Sequence, residues 1–126
     1  MGLTYSKIKL SNPRKSELTP IELNCLVDTG ALMLCIPQTV AFQLGLEELD
    51  KRPVTIADGS SHQVSYLGPL RVDFGNRFCF TGALVIGDET LLGAVPMKDM
   101  DLIVHLATQQ LMPNPLHPNK LGYTIK

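Results

Sequence analysis

Apolar residues along this chain fall in short runs, alternating or continuous and cut by Gly, Pro, Asn and Asp, a pattern of strands rather than helices. Strands are predicted over Tyr5–Leu10, Ile21–Val27, Leu32–Ile36, Val54–Ala57, His62–Leu67, Leu70–Phe74 and Phe78–Ile86. Pro37–Leu46 is the best helix candidate. Pro is tolerated in a first helical turn, Val40, Leu44 and Leu46 can share a buried side, and Gly45 would mark the end. A second short helix is predicted over Pro96–Met100, followed by a closing hairpin of Leu102–His105 with Gln110–Met112. Asp58-Gly59 lies between two runs of alternating character and predicts another hairpin, whose favoured two-residue turn needs positive φ at both central positions.

At 126 residues, 44% of them hydrophobic, the chain is long enough for one domain with a real core, and we expect a single domain over residues 1–126 with its centre at about 20–105. A formal net charge of -1 and the lack of any basic block argue against a nucleic-acid partner or an acidic membrane surface. No apolar stretch approaches bilayer length, and the Met1 end lacks the regions of a signal peptide, so a soluble, cytoplasmic protein is expected. Met1-Gly2 followed by Ser6 fits the short N-myristoylation pattern. Cys25, Cys35 and Cys79 are odd in number and lack Cys-x-x-Cys spacing, which fits buried small hydrophobes better than disulfides or zinc ligands. His62, His105 and His117 show no metal-binding spacing, and no metal or cofactor is expected. Ser60, Ser61 and His62 lack a nucleophile elbow, and strand neighbours are not expected to reach one another as a triad does.

The most informative residues are Asp28-Thr29-Gly30-Ala31, between the apolar runs Ile21–Val27 and Leu32–Ile36. A carboxylate among strand formers loses hydration at a cost of several kcal/mol unless the chain turns there and presents it to water or a partner. Thr29 and Gly30 supply that turn. Leu91-Leu92-Gly93 follows at about half a domain's distance. With these residues the chain resembles the retroviral-type aspartic proteases (retropepsins) and their cellular relatives over roughly residues 20–105.

That resemblance implies an all-β, closed-barrel-like acid-protease fold with one or two short helices, and an aspartic endopeptidase acting on peptide or protein. Metal-free hydrolysis needs two carboxylates sharing a proton, and this chain has one such turn, so a homodimer is implied, each subunit giving its Asp28 to a shared site. By family analogy Thr29 would bond across the interface, Gly30 would admit substrate backbone, and Ala31 would keep the floor small. Ala57, Asp58, Gly59 and Ser60 would form a flap over the peptide. Leu91, Leu92 and Gly93 would pack under the catalytic loop, with Thr90 and Leu91 facing the cleft and Met33 a further pocket candidate. The terminal segments Tyr5–Leu10 and Leu121–Ile125 would supply interface strands. The chain departs from the viral pattern at Leu32 and Ala94, where an acidic residue and an Arg usually form an ion pair near the substrate, and from residue 113 onward it has no close viral counterpart. The alternative is a dimerisation or peptide-binding module of the same fold without significant turnover.

Overall fold

A computed structural model describes residues 3–125, so the Met1-Gly2 motif lies outside the described residues. The alternating pattern of β1 (Thr4–Ser11) turns Ile8 and Leu10 inward, and β2 (Ile21–Val27) likewise buries Cys25 and Val27. The short β3 (Leu34–Ile36) is apolar at every position and buried at every position, as expected of a strand covered on both faces. Then follow α1 (Gln38–Gln43), β4 (Glu47–Thr55), β5 (Ser61–Phe74), β6 (Arg77–Val85), β7 (Leu91–Leu92), α2 (Ala94–Asp99) and the hairpin of β8 (Leu102–His105) with β9 (Gln110–Pro113).

Hydrogen bonding runs β1-β2-β7-β3-β6-β5-β4, and a second pairing of β1 with β5 through Lys9–Ser11 closes six of these strands into a barrel. Side chains of Ile8, Leu10, Cys25, Leu34, Ile36, Leu70, Val72 and Leu92 fill it. Leu44 and Ala41 of the α1 region and Met97 and Met100 of the α2 region cap it. The three cysteines are free and buried. Burial pushes the thiols of Cys25 and Cys79 up to about 12, so they pack as neutral small side chains.

Several boundaries differ from the sequence expectation, each for a physical reason. Leu32 is not in a strand, because the carbonyls of Ala31 and Leu32 accept the N–H groups of Ala94 and Val95 at 2.9 Å. The two strands predicted over His62–Leu67 and Leu70–Phe74 are one, bent by a bulge at Gly68-Pro69. The first helix is shorter than Pro37–Leu46: Pro37 is its N-cap, and Gly45, at φ +59°, ends it. β4 begins at Glu47 rather than Val54. It leaves the barrel and pairs with β5 alone, so no buried face imposes alternation on Glu47-Glu48-Leu49-Asp50-Lys51-Arg52.

The two terminal segments are used within the chain. Tyr5–Leu10 is part of β1, and Leu121–Ile125 forms no strand. A latch holds the tail instead. Arg77, 1% exposed, donates to the carbonyls of Met100 and Asp101 at 3.2 Å and to that of His117. The Asp101 carboxylate accepts from Gly122 N–H and Asn114 Nδ2 at 3.0 Å and from His117 Nδ1 at 2.6 Å. Tyr123 reaches the Asp99 carbonyl at 2.5 Å.

Those donors, Gly122 N–H foremost and then Asn114 and His117, hold the Asp101 carboxyl below its ordinary value. A carboxyl depressed by folding contributes stability that is complete above the unfolded pKa of about 4 and is lost as pH falls through the lower folded value. Urea denaturation midpoints of the wild type and Asp101→Asn should therefore differ most at neutral pH and converge in acid. Parallel curves across the whole range would mean that the latch does not depend on this charge.

Candidate active site

β2 and β3, the two arms that flank Asp28, do not pair with each other; β7 lies between them. It runs parallel to β2, with Leu26 opposite Leu91 and Val27 opposite Leu92, and antiparallel to β3, with Cys35 opposite Leu91. Leu26 N–H donates to the Thr90 carbonyl at 2.9 Å and Asp28 N–H to the Leu92 carbonyl at 3.0 Å, so the backbone is fixed up to the turn itself. The turn then closes on its own residues. Ala31 N–H donates to the Asp28 carbonyl at 3.1 Å, and Gly30 N–H to Asp28 Oδ1 at 2.9 Å. The Asp28 side chain is partly buried, with Thr29 and Gly30 exposed beside it.

Gly93 makes this arrangement possible. A Cβ there would overlap the Met33 carbonyl oxygen and lie 2.7 Å from the Leu32 carbonyl carbon and 2.8 Å from the Ala31 carbonyl oxygen. Leu91, Leu92 and Gly93 thus sit beneath the loop. Gly30 is also tight, since a Cβ would stand 3.2 Å from Asp28 Oδ1, the oxygen that its own N–H engages.

Two concavities flank the turn. One, of about 430 Å³, has Gly30, Ala31, Leu32 and Met33 on one wall and Arg52, Pro53, Val54 and Thr55 of β4 on the other, with Cys35 and Leu84 also lining it. Its apolar character continues at Leu32, which is 65% exposed. The second, of about 510 Å³, lies on the Thr29 side, between the start of α2 and the β8 hairpin. Burial, and after it the negative charge of Asp28, raise the Cys35 thiol above its ordinary value.

Of the residues expected to bind substrate, Ala31 and Met33 line the first cleft with Gly30. Ala57, Asp58, Gly59 and Ser60 do not; they form the tip of the β4–β5 hairpin, whose stem faces the loop. Thr90 is buried and Leu91 half-buried in the strand support, and neither lines this cleft. The tip is not the two-residue turn expected from Asp58-Gly59. Gly59 N–H donates to the Ile56 carbonyl at 2.9 Å, and Gly59 alone takes positive φ, at +86°. That matches a type I turn followed by a left-handed residue, the next commonest hairpin form.

Ser60 and His62 do reach one another, contrary to expectation, with Ser60 Oγ 2.9 Å from His62 Nε2. The hydroxyl donates to Asp58 Oδ1 at 2.5 Å, so its proton is committed to the carboxylate and the imidazole can only donate to it. A nucleophile needs the reverse order, with the base taking the hydroxyl proton. Among the described residues no group of three or more His, Cys, Asp or Glu gathers as metal ligands, and no helix is long and apolar enough to cross a membrane.

Sequence reasoning missed the β4 wall, Arg52 to Thr55, and the parts played by Leu32, Cys35 and Leu84. A signal for the wall existed. Once Asp58-Gly59 is taken as a hairpin tip, the ladder obliges Thr55 to face Ser61 and Arg52 to face Val64, whatever their polarity. No protein-family model matches the chain, and a search of curated proteins finds none that matches.

Gly93→Ala should push the loop away from β7, with a loss of stability of about 1–3 kcal/mol, the usual range for overpacking. Urea unfolding checks this. An unchanged midpoint would show that the Ala31–Met33 carbonyls give way freely.

Proposed function

We propose that the protein is an aspartic endopeptidase acting as a homodimer, in which Asp28 of each copy faces the other across a two-fold axis. The observation that carries this reading is the Asp28 turn. A carboxylate is held by backbone bonds at the end of a barrel strand, braced from below by β7, and set beside a cleft walled by a protruding hairpin. Such bracing suits a group that must keep its position while its charge changes.

The chemistry follows from two close carboxylates, which cannot both ionise readily and so share one proton. The ionised Asp28 takes a proton from water as the oxygen attacks the scissile carbonyl carbon. The protonated one gives its proton to the carbonyl oxygen. Collapse of the tetrahedral diol then breaks the C–N bond: the leaving nitrogen takes a proton from the first carboxyl while the second carboxylate takes one back from a diol hydroxyl, which leaves a carboxylic acid, an amine and the pair again sharing one proton. Gly30, with no side chain, leaves room for substrate backbone. The 430 Å³ cleft suits an extended peptide with apolar side chains near Leu32 and Met33.

A non-hydrolytic peptide-binding module is favoured by one observation. Leu32 and Ala94 stand where the viral enzymes carry an ion pair near the substrate, and neither can grip a peptide by charge.

Asp28→Asn separates the two. The amide cannot accept water's proton, so cleavage of a mixed peptide library should fall at least about a hundredfold while the fold is kept. Wild-type rates should fall on both sides of an optimum, where the pair is doubly protonated or doubly ionised. A folded Asp28→Asn protein that cuts at the wild-type rate would end the protease reading, and a folded, inactive wild type that still binds peptide would favour the module.

Hairpin closure gives a second check. Amides of residues 54–61 should exchange fast in the free protein and become protected when a peptide-like inhibitor binds. Equal exchange in both states would leave the hairpin a fixed wall.

A further inference from the structure

Among the described residues a single charged side chain, that of Arg52, lines the 430 Å³ cleft beside the Asp28 turn; the rest of the lining is apolar or uncharged. Arg52 stands on β4 opposite Val64 of β5, and its side chain is 44% exposed. Its guanidinium lies over the Tyr66 ring, 3.9 Å from the centroid. Tyr66 is in turn seated on backbone, because a Cβ at Gly82 of β6 would overlap the ring. The glycine lets the ring lie against the strand, and the ring carries the cation. Lys51, the neighbouring cation, is paired with Glu48 at 3.1 Å and does not line the cleft.

We infer that Arg52 selects peptides that carry an Asp or Glu side chain among apolar residues, the carboxylate meeting the guanidinium at the hairpin wall of the cleft. The inference rests on the reading of this cleft as the place of the peptide substrate, and it adds what that peptide must carry. A guanidinium with its face on an aromatic ring keeps its edge, whose paired N–H donors match the two oxygens of a carboxylate. Most of that edge is uncommitted here. Nε faces Asp50 Oδ2 at 3.5 Å, long for a hydrogen bond, and neither Nη makes a hydrogen bond among the described residues. Asp50 is 60% exposed, so this surface pair is weak and gives way to a better-placed acid in the cleft.

The surroundings sharpen the choice. A charge that enters a cleft with apolar walls loses hydration and needs a counter-charge. Arg52 supplies one for an acid and repels Lys or Arg. Asp28, two residues before Gly30 on the opposite wall, disfavours a second negative charge close to itself, which directs the acidic side chain toward β4. The other role open to Arg52 is packing alone, holding β4 to β5 through Tyr66. Lys and Gln at this position separate the two roles, since both keep an aliphatic stem against the ring and only Lys keeps the charge.

Apolar peptides with blocked ends, differing only in Glu, Gln or Lys at each position in turn, test this on the full chain as wild type, Arg52→Gln, Arg52→Lys, Arg52→Glu and a distant charge change, Lys7→Glu on the exposed face of β1. Each protein is read as a ratio, the Glu peptide over the Gln peptide, in kcat/KM and in affinity by fluorescence anisotropy, so a general loss of activity cancels. At the preferred position wild type should favour Glu over Gln by about tenfold and reject Lys, with the preference shrinking at high salt. Arg52→Gln should abolish the preference, Arg52→Lys keep part of it, Arg52→Glu turn it toward Lys, and Lys7→Glu match the wild-type ratio. A wild type that cleaves all three peptides alike, or an acidic preference that survives Arg52→Glu, would overturn the inference and leave the protease reading standing. A Gln peptide whose freed C-terminus matches the Glu peptide would move the contact to a chain end and overturn the choice of a side chain. Where wild type binds but cleaves nothing, a preference for Glu in affinity that Arg52→Glu reverses would support the role of Arg52 and remove the protease reading, and equal affinities would overturn both.

Discussion

The two residues of β7 hold the Asp28 turn together. β2 and β3 enter and leave that turn without touching through hydrogen bonds, and Leu91 and Leu92 bridge them, parallel on one side and antiparallel on the other. A net hydrogen bond is worth only about 1 kcal/mol. The bridge is nevertheless hard to replace, because barrel closure between β2 and β3 runs through it and no second strand takes its place in the order. Gly93 is the price of bringing α2 so close that Ala94 and Val95 donate to the far arm of the same turn.

Much of the barrel is legible in the sequence because burial imposes a period. β1, β2, β6, the short β3 and the closing hairpin of β8 with β9 each carry an inward face, and their apolar residues mark it. β4 carries no such face, so its sequence does not mark its full length; its position follows from pairing alone. The tail latch is less legible still. It joins Asp101 to residues 13 to 21 positions away through a left-handed residue that is not glycine, and neither periodicity nor turn preference anticipates that. Among the site residues, Asp28, Gly30, Ala31 and Met33 could be read from the motif, whereas the wall opposite them comes from a strand that the motif does not mention.

Leu32 and Ala94 also bear on charge. Had an acid stood at one and an Arg at the other, each would need its partner to be tolerated beside the carbonyl contacts of the loop. Here both positions are apolar, and Leu32 reaches into solvent over the cleft. Buried cationic charge in this fold is instead placed at Arg77, where it ties the start of β6 to the α2–β8 junction and the tail. The buried cation thus lies beneath the closing hairpin.

The placement of Arg77 links the parts of the molecule. Arg77 and Asp101 fix the junction from which β8 departs; β8 walls the groove that reaches Thr29; Thr29 sits between that groove and Asp28. On the other side, Gly30 to Met33 pass from the same carboxylate into the cleft under β4. Asp28 therefore stands at the one short segment shared by both concavities, with a rigid backbone behind it and no bulky side chain at Gly30 or Ala31 in front. A group so placed borders two concavities at once, one on the Thr29 side and one under β4, and the backbone bonds behind it hold it at their junction.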